Sequence, residues 1–464
     1  MFPSRYVQRL LLGSLLASGL TPGQAQQPLV PKGPVVIRNV NVVDVRAGQV
    51  ISNQQVVIRG GCIDVVGRQA PAGGAVLTID GRGKYLIPGL WDAHSHALTS
   101  QPAADAALAQ YLVHGVTGVR DVSSARPRAE LAETVRAVDA GERPGPHLVL
   151  AGVLDGPGTF SPGARLAHTQ AQGRAQVDTQ AAAGWACIET RALLPRAAYL
   201  GAAEAAAQRR LGFGGDIPEA VTVGEALAAG HRCVAHLDKV LLGCSPRETE
   251  IVAARAAILT GPRPAWTLQQ HRAEQQAAIN ADFNPGRCAR LAADLVQRGT
   301  FVVPLLGADQ AESPNGPGTC ARWHGAADST TVALHRQLVA MLHHEGVRLL
   351  AGSDAGPQQD AAYGLGLIEE LERLVAAGLP PDEALLTATL VPAVLLGRQT
   401  ELGEVAPAHN ADVVLLDANP LDDIRNLRRV QTVIVRGRIY NRAALDALAA
   451  EAAKPAATLR TVAR

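Results

Sequence analysis

The chain has 464 residues, of which 47% are hydrophobic and 18% charged, an ordinary globular composition with enough apolar side chain for a large core. Its formal net charge of +1 lacks the basic bias that recruits nucleic acid or an anionic membrane surface. At this length one large domain with a smaller one is expected.

The N-terminus reads as a secretory signal over residues 1–25. Arg5 and Arg9 form a basic start, Leu10 to Leu20 an apolar run too short to span a bilayer, and Gly23-Gln24-Ala25 a small-residue cleavage site before Gln26. The expectation is an exported protein, periplasmic or secreted, with no membrane insertion after cleavage.

From 26 to 87 short β-rich runs alternate with turn residues: Val35 to Ile37, Val56 to Ile58, Ile63 to Val66 and Val76 to Ile79. The same texture returns at 398–445 in Ala411 to Leu416 and Val433 to Ile439, so both ends are expected to complete one small β-sandwich, followed by a tail at 446–464. Between them, at 88–397, apolar runs alternate with Ala/Leu-rich helical stretches, the pattern of βαβ units. The runs predicted as strands are Leu90 to His94, Gly118 to Asp121, His147 to Gly152, Trp185 to Glu189, Phe213 to Asp216, Cys233 to His236, Phe301 to Pro304 and Leu349 to Ser353. Eight such strands predict an α/β fold, a closed (β/α)8 TIM-like barrel with chemistry at the C-terminal strand ends. The long segments Leu241 to Arg287 and Gly307 to Ala327 follow the sixth and seventh strands, on the side where substrate would enter.

Six scattered cysteines in an exported chain allow 15 disulfide connectivities. Cys187 and Cys233 lie in apolar runs and read as buried thiols, whereas Cys244, Cys288 and Cys320 lie in or near loops and are the disulfide candidates. None has zinc-ribbon spacing.

The chemistry is carried first by Pro88-Gly89-Leu90-Trp91-Asp92-Ala93-His94-Ser95-His96, which runs a strand into two histidines at i and i+2. That spacing puts both imidazoles on one side of an extended chain, where they can hold a divalent cation. With Gly115-Val116-Thr117-Gly118-Val119-Arg120-Asp121, Leu349-Leu350-Ala351-Gly352-Ser353-Asp354-Ala355-Gly356 and Ala411 to Pro420, the chain resembles the amidohydrolase superfamily, within it the branch of imidazolonepropionase-like and Xaa-Pro dipeptidase-like enzymes. The resemblance covers nearly the whole chain after the signal segment.

It implies that His94, His96 and Asp354 hold one metal and that His236 matches a ligand of a second. It also implies a carboxylated lysine on the fourth strand and a histidine on the fifth. Here those positions are Glu189 and Asp216. The only lysines are Lys32, Lys84, Lys239 and Lys454, so a carbamylated lysine on the fourth strand is excluded. A glutamate also falls short of a carboxylated lysine by about 3 Å, while metal–oxygen bonds tolerate a few tenths of an ångström. Glu189 and Asp216 therefore remain open between unconventional ligands and orphaned carboxylates.

The resemblance implies a metal-dependent hydrolase of carbon–nitrogen bonds acting on a small molecule: a dipeptide, an N-acyl amino acid or a cyclic amide. Metal-activated water is the nucleophile and Asp354 moves the proton. Zinc suits the half with His94, His96 and Asp354, and a carboxylate-rich second half would suit manganese or iron. A non-catalytic binding or scaffold protein that has lost its second metal is the competing reading, and a homo-oligomer is compatible with either. Arg120-Asp121 reads as a structural ion pair, His168 as a loop histidine near substrate or solvent, His343-His344 as solvent-facing, and Glu369-Glu370 as the wet face of a helix.

Overall fold

Residues 27–69, 74–122, 126–159, 161, 163–261, 263–308, 328–357 and 362–453 are described by a computed structural model. The signal-like segment at 1–25, Cys320 and most of Gly307 to Ala327 lie outside them.

The apolar runs of the central segment form parallel strands at Leu90–Ser95, Val116–Asp121, His147–Asp155, Cys187–Thr190, Gly212–Gly215, Cys233–Ala235, Phe301–Val303 and Arg348–Leu349. Each pairs with the next in chain order. The last returns to the first. The Ala93 amide donates to the Ala351 carbonyl at 3.0 Å and the Asp354 amide to the His94 carbonyl at 2.9 Å, so the sheet closes as a (β/α)8 barrel. All six residues of Leu90–Ser95 are buried, as expected where helices cover a parallel sheet. Each predicted run overlaps one of these strands, and the third extends past its predicted end to Asp155.

The surrounding helices show the period that places them. In Pro285–Arg298 the buried Cys288, Leu291, Ala292 and Leu295 recur at helical spacing, Asn284 caps the N-terminus with Pro285 next, and Gly299 at φ 62° ends it. Cys244 and Cys288 form a disulfide, with Cα atoms 4.7 Å apart, which ties this helix to the end of Asp238–Gly243. Leu241 to Arg287 is largely helical, with helices at Glu248–Ile258 and Pro264–Ala281 rather than an open loop.

The chain ends share one sheet. Its order runs from Arg438–Asn441 through Val430–Val435, Val413–Leu416, Tyr85–Pro88, Val35–Asp44 and Gln49–Arg59 to Cys62–Gly67, with Leu77–Asp80 beside Val35–Asp44. Val413–Leu416 pairs antiparallel with Tyr85–Pro88, the strand that leads into the barrel. Val35, Ile37, Val56, Ile58, Leu86, Val413, Leu415 and Ile434 are buried in one cluster, so residues from both ends of the sequence make the small domain's core. Helix Arg442–Ala452 continues beyond residue 445. No helix among the described residues is long and apolar enough to cross a membrane.

Candidate metal centre

The first and eighth strands are locked together just beneath the barrel mouth by Asp92. Its carboxylate accepts from the Ser353 hydroxyl at 2.5 Å, the Ser353 amide at 3.0 Å and the His94 amide at 3.2 Å. Burial pushes its pKa up to about 6 against those hydrogen bonds. Gly352 lets the two strands approach, since a Cβ there would lie 2.9 Å from the His94 Cβ.

Above this lock, His94, His236 and Asp354 each offer a ligand atom within 4.8 Å of the others. Both ring nitrogens of His94 are buried without a hydrogen-bond partner, an orphaned pair in a structure where such groups are normally satisfied. Burial drives the His94 pKa well below its ordinary value, leaving the neutral imidazole that ligates metals. Asp354 stays ionised: burial would raise its pKa, but the His96 hydrogen bond and the neighbouring histidines hold it below the usual carboxylate range. These residues fit a divalent cation. His96 is outside the three-residue group, yet its Nε2 lies 2.9 Å from Asp354 Oδ1, and the rings of His94 and His96 stand 5.4 Å apart.

The backbone is strained where it matters. His236 and Asp354 both lie in the left-handed region, at φ 61° and 54°, which costs non-glycine residues about 1–3 kcal/mol each. The His236 amide donates to Val303 at 3.0 Å and the Asp354 amide to His94, so sheet bonds hold both turns. Non-glycine strain of this kind concentrates at functional sites.

The other half of the mouth differs. Glu189 is fully buried, and its Oε2 accepts from Arg120 Nη2 at 2.5 Å. Its Oε1 lies 3.8 Å from His94 Nδ1 and 4.0 Å from Arg191 Nη1. Arg191 Nη1 is in turn 3.6 Å from Asp216 Oδ1, and Asp216 is 4.0 Å from His236 Nε2. Gly215, at φ 106°, leaves the room Glu189 needs, because a Cβ there would fall 2.8 Å from the Glu189 Cδ. The structure thus brings all the predicted site residues to one barrel end, but Glu189 and Asp216 face guanidinium groups. A second cation between them would meet the charge of Arg191, although Glu189 Oε1 accepts no hydrogen bond.

Several residues were misread or missed in the sequence. Arg120 does not pair with Asp121: the guanidinium turns inward to Glu189 while Asp121 Oδ2 accepts from the Leu98 amide at 2.9 Å. Glu370 is buried rather than wet, because its carboxylate takes the Leu306 and Gly307 amides at 2.8 and 2.9 Å just past the seventh strand. His168 is exposed. Asp155, at the end of the third strand, was missed; it accepts from the Gly156 and Leu193 amides at 2.8 and 2.9 Å, and burial pushes its pKa up to about 7. Arg191 was missed too, although Glu189 and Arg191 at i and i+2 on extended chain share a face. Cavities of about 660 Å³ and 600 Å³ lie away from the cluster, one between the β-domain and His147, the other at the barrel's N-terminal end beyond Arg120.

Comparison with known proteins agrees with this fold. Over 386 residues the chain is 25% identical to ochratoxinase of Aspergillus niger, covering 75% of this chain and 73% of that protein. It is 28% identical over 388 residues to an adenine deaminase of Deinococcus radiodurans, covering 83% of this chain and 59% of the deaminase. The fold matches the crystal structure of a Xaa-Pro dipeptidase with bound methionine at a TM-score of 0.66 and 19% identity, over 88% of this chain and all of that one. The profile described as the amidohydrolase family matches residues 85–440, most of the chain, and the chain belongs to that family.

Proposed function

We propose that this hydrolase cleaves an amide bond in a small dipeptide-like molecule, an N-acyl amino acid or a cyclic amide, using zinc held by His94, His96, His236 and Asp354. The observation that carries the metal reading is the orphaned His94 imidazole beside His236 and Asp354. When bound, a divalent cation supplies the Lewis acidity that makes water reactive near neutral pH and polarises a carbonyl. Asp354, kept ionised beside His96, accepts the proton of the attacking water and returns it to the leaving nitrogen. His94, neutral through burial, is ready to ligate without first losing a proton. Asp92 and Ser353 fix the spacing between the strands that carry His94 and Asp354.

The basic start and short apolar run before Gln26 support export of the mature enzyme to the periplasm or beyond. The test of function is a panel of dipeptides, N-acyl amino acids and cyclic amides assayed before and after chelation. Turnover that vanishes with the chelator and returns with zinc is the expected result. A folded chain that binds no divalent cation and turns over none of the panel would establish the binding or scaffold reading instead.

A further inference from the structure

We infer that Arg191 is a built-in substitute for a second metal ion, so that the barrel mouth is constructed for one cation and a fixed guanidinium. The inference rests on the reading that His94, His236 and Asp354 hold a cation. It concerns what neutralises the two carboxylates beside them.

Glu189 and Asp216 are nearly or fully buried, and buried carboxylates need a positive partner or a proton. Arg191 stands beside both, although Glu189 Oε1 accepts no hydrogen bond from it. Arg191 Nη1 lies 3.6 Å from Asp216 Oδ1 and 4.0 Å from Glu189 Oε1, facing both acids at once. Its Nη2 donates to the Val122 carbonyl at 3.0 Å, so the group is anchored to the end of the second strand. The remaining Glu189 oxygen is held by Arg120 Nη2 at 2.5 Å. Two guanidiniums thus stand against these two carboxylates, with buried Asp155 also facing Arg191 and Asp216 electrostatically.

A dication placed between Glu189 and Asp216 would sit a few ångströms from the Arg191 charge in a buried, weakly screening site. It would have to displace that guanidinium from both acids. The chemistry of the side chains agrees. Glutamate is too short to reach where a carboxylated lysine would place its oxygens, whereas a fixed guanidinium lies near enough to both carboxylates to offset their charge. The exchange is internally consistent: a cation lost at the fourth and fifth strands is matched by a cation two residues beyond Glu189.

The test counts metal on the full chain. Chelator-stripped protein is re-equilibrated with excess zinc and, separately, manganese, and tight metal per chain is measured by elemental analysis beside thermal unfolding. We expect saturation at one equivalent in the wild type. Two tight equivalents overturn the inference, whereas none overturns the metal reading on which it rests, so the two failures are distinct.

Arg191→Met then removes the charge while keeping bulk. Its Tm should drop by roughly 5 °C, and zinc or manganese beyond the first equivalent should bind and restore it. A variant that stays at one equivalent with no second response shows that Arg191 is not the substitute. Should Arg191→Met fail to fold, Arg191→Gln and Arg191→Lys provide the contrast: the neutral variant gains the second equivalent and the charged one does not. Equal uptake by both overturns the assignment.

Discussion

Two halves of one barrel mouth carry the same burial and opposite chemistry. On the side of the first, sixth and eighth strands, His94, His236 and Asp354 converge within 4.8 Å, and His94 has no hydrogen-bond partner for either nitrogen. On the side of the fourth and fifth strands, Glu189 and Asp216 are equally enclosed but face Arg120 and Arg191. The first half leaves both nitrogens of His94 without a hydrogen bond; in the second, guanidinium groups face the acids, yet Glu189 Oε1 accepts no hydrogen bond either. Buried polar groups are normally satisfied by protein or by ligand, and the two halves differ in the counter-charge the protein places beside them.

The largest effect should come from the first half. Asp354→Asn keeps the shape but removes the carboxylate that moves the proton and binds the cation. It should lower kcat/KM by at least about a thousandfold and weaken metal retention on dialysis. Asp216→Asn, in the other half, should leave the metal equivalent in place and cost far less activity. Equal losses from the two substitutions would erase the distinction between the halves.

Arg120→Met tests the second half as a piece of structure. It strands the Glu189 carboxylate that now accepts at 2.5 Å, and breaking a buried pair in this way costs about 3–5 kcal/mol. Denaturant unfolding should show that loss while the metal content stays unchanged. Metal loss in proportion to stability would mean that Glu189 supports the cation after all.

The barrel and the His94–His96 pair were legible because they are written locally, whereas His236 and Asp354 lie on distant strands and were reached through the resemblance. The eight strands appear as apolar runs between turn residues, and His94 and His96 occupy adjacent same-face positions at a strand end. The second half depends on pairing across strands that no local period encodes. Arg120 stands next to Asp121 in sequence, yet the pleat sends adjacent side chains to opposite faces, and the guanidinium finds Glu189 69 residues away. Glu370 likewise sits on a helix whose pattern reads half wet, and only the fold shows the Leu306 and Gly307 amides that claim it.

A pH series sharpens the comparison from beneath the fifth strand. His231 is buried with Nε2 3.1 Å from the Gly215 carbonyl and Nδ1 3.1 Å from the Tyr199 hydroxyl. The carbonyl can only accept, so Nε2 carries the proton and Nδ1 accepts from tyrosine, which requires the neutral ring. Burial lowers its pKa from 6.5 to about 4. A depressed value means that stability is fully present above pH 6.5 and is lost as pH falls toward 4, an amount of about 3 kcal/mol. His231→Gln should flatten the Tm profile across that window. An unchanged slope would place the acid sensitivity elsewhere.

The smallest effect returns to the first half and asks how tightly its geometry is set. An alanine Cβ at Gly352 would meet Val303 Cγ1 at 2.8 Å, His94 Cβ at 2.9 Å and Leu305 Cδ2 at 3.1 Å. Val303 can yield by a small rotation, but His94 is fixed through the Asp92 lock, so the crowding should displace the imidazole by tenths of an ångström. Overpacking of this kind costs about 1–3 kcal/mol. Because metal bonds tolerate only small errors in distance, the affinity loss should exceed the stability loss. Gly224, with nothing within 4 Å of its added Cβ, is the control, and Gly224→Ala should be neutral or slightly stabilising. Titration of both variants with zinc, alongside urea unfolding, separates the outcomes. A Gly352→Ala protein that loses stability and keeps wild-type affinity would show that the cluster adapts to its cation rather than being preset for it.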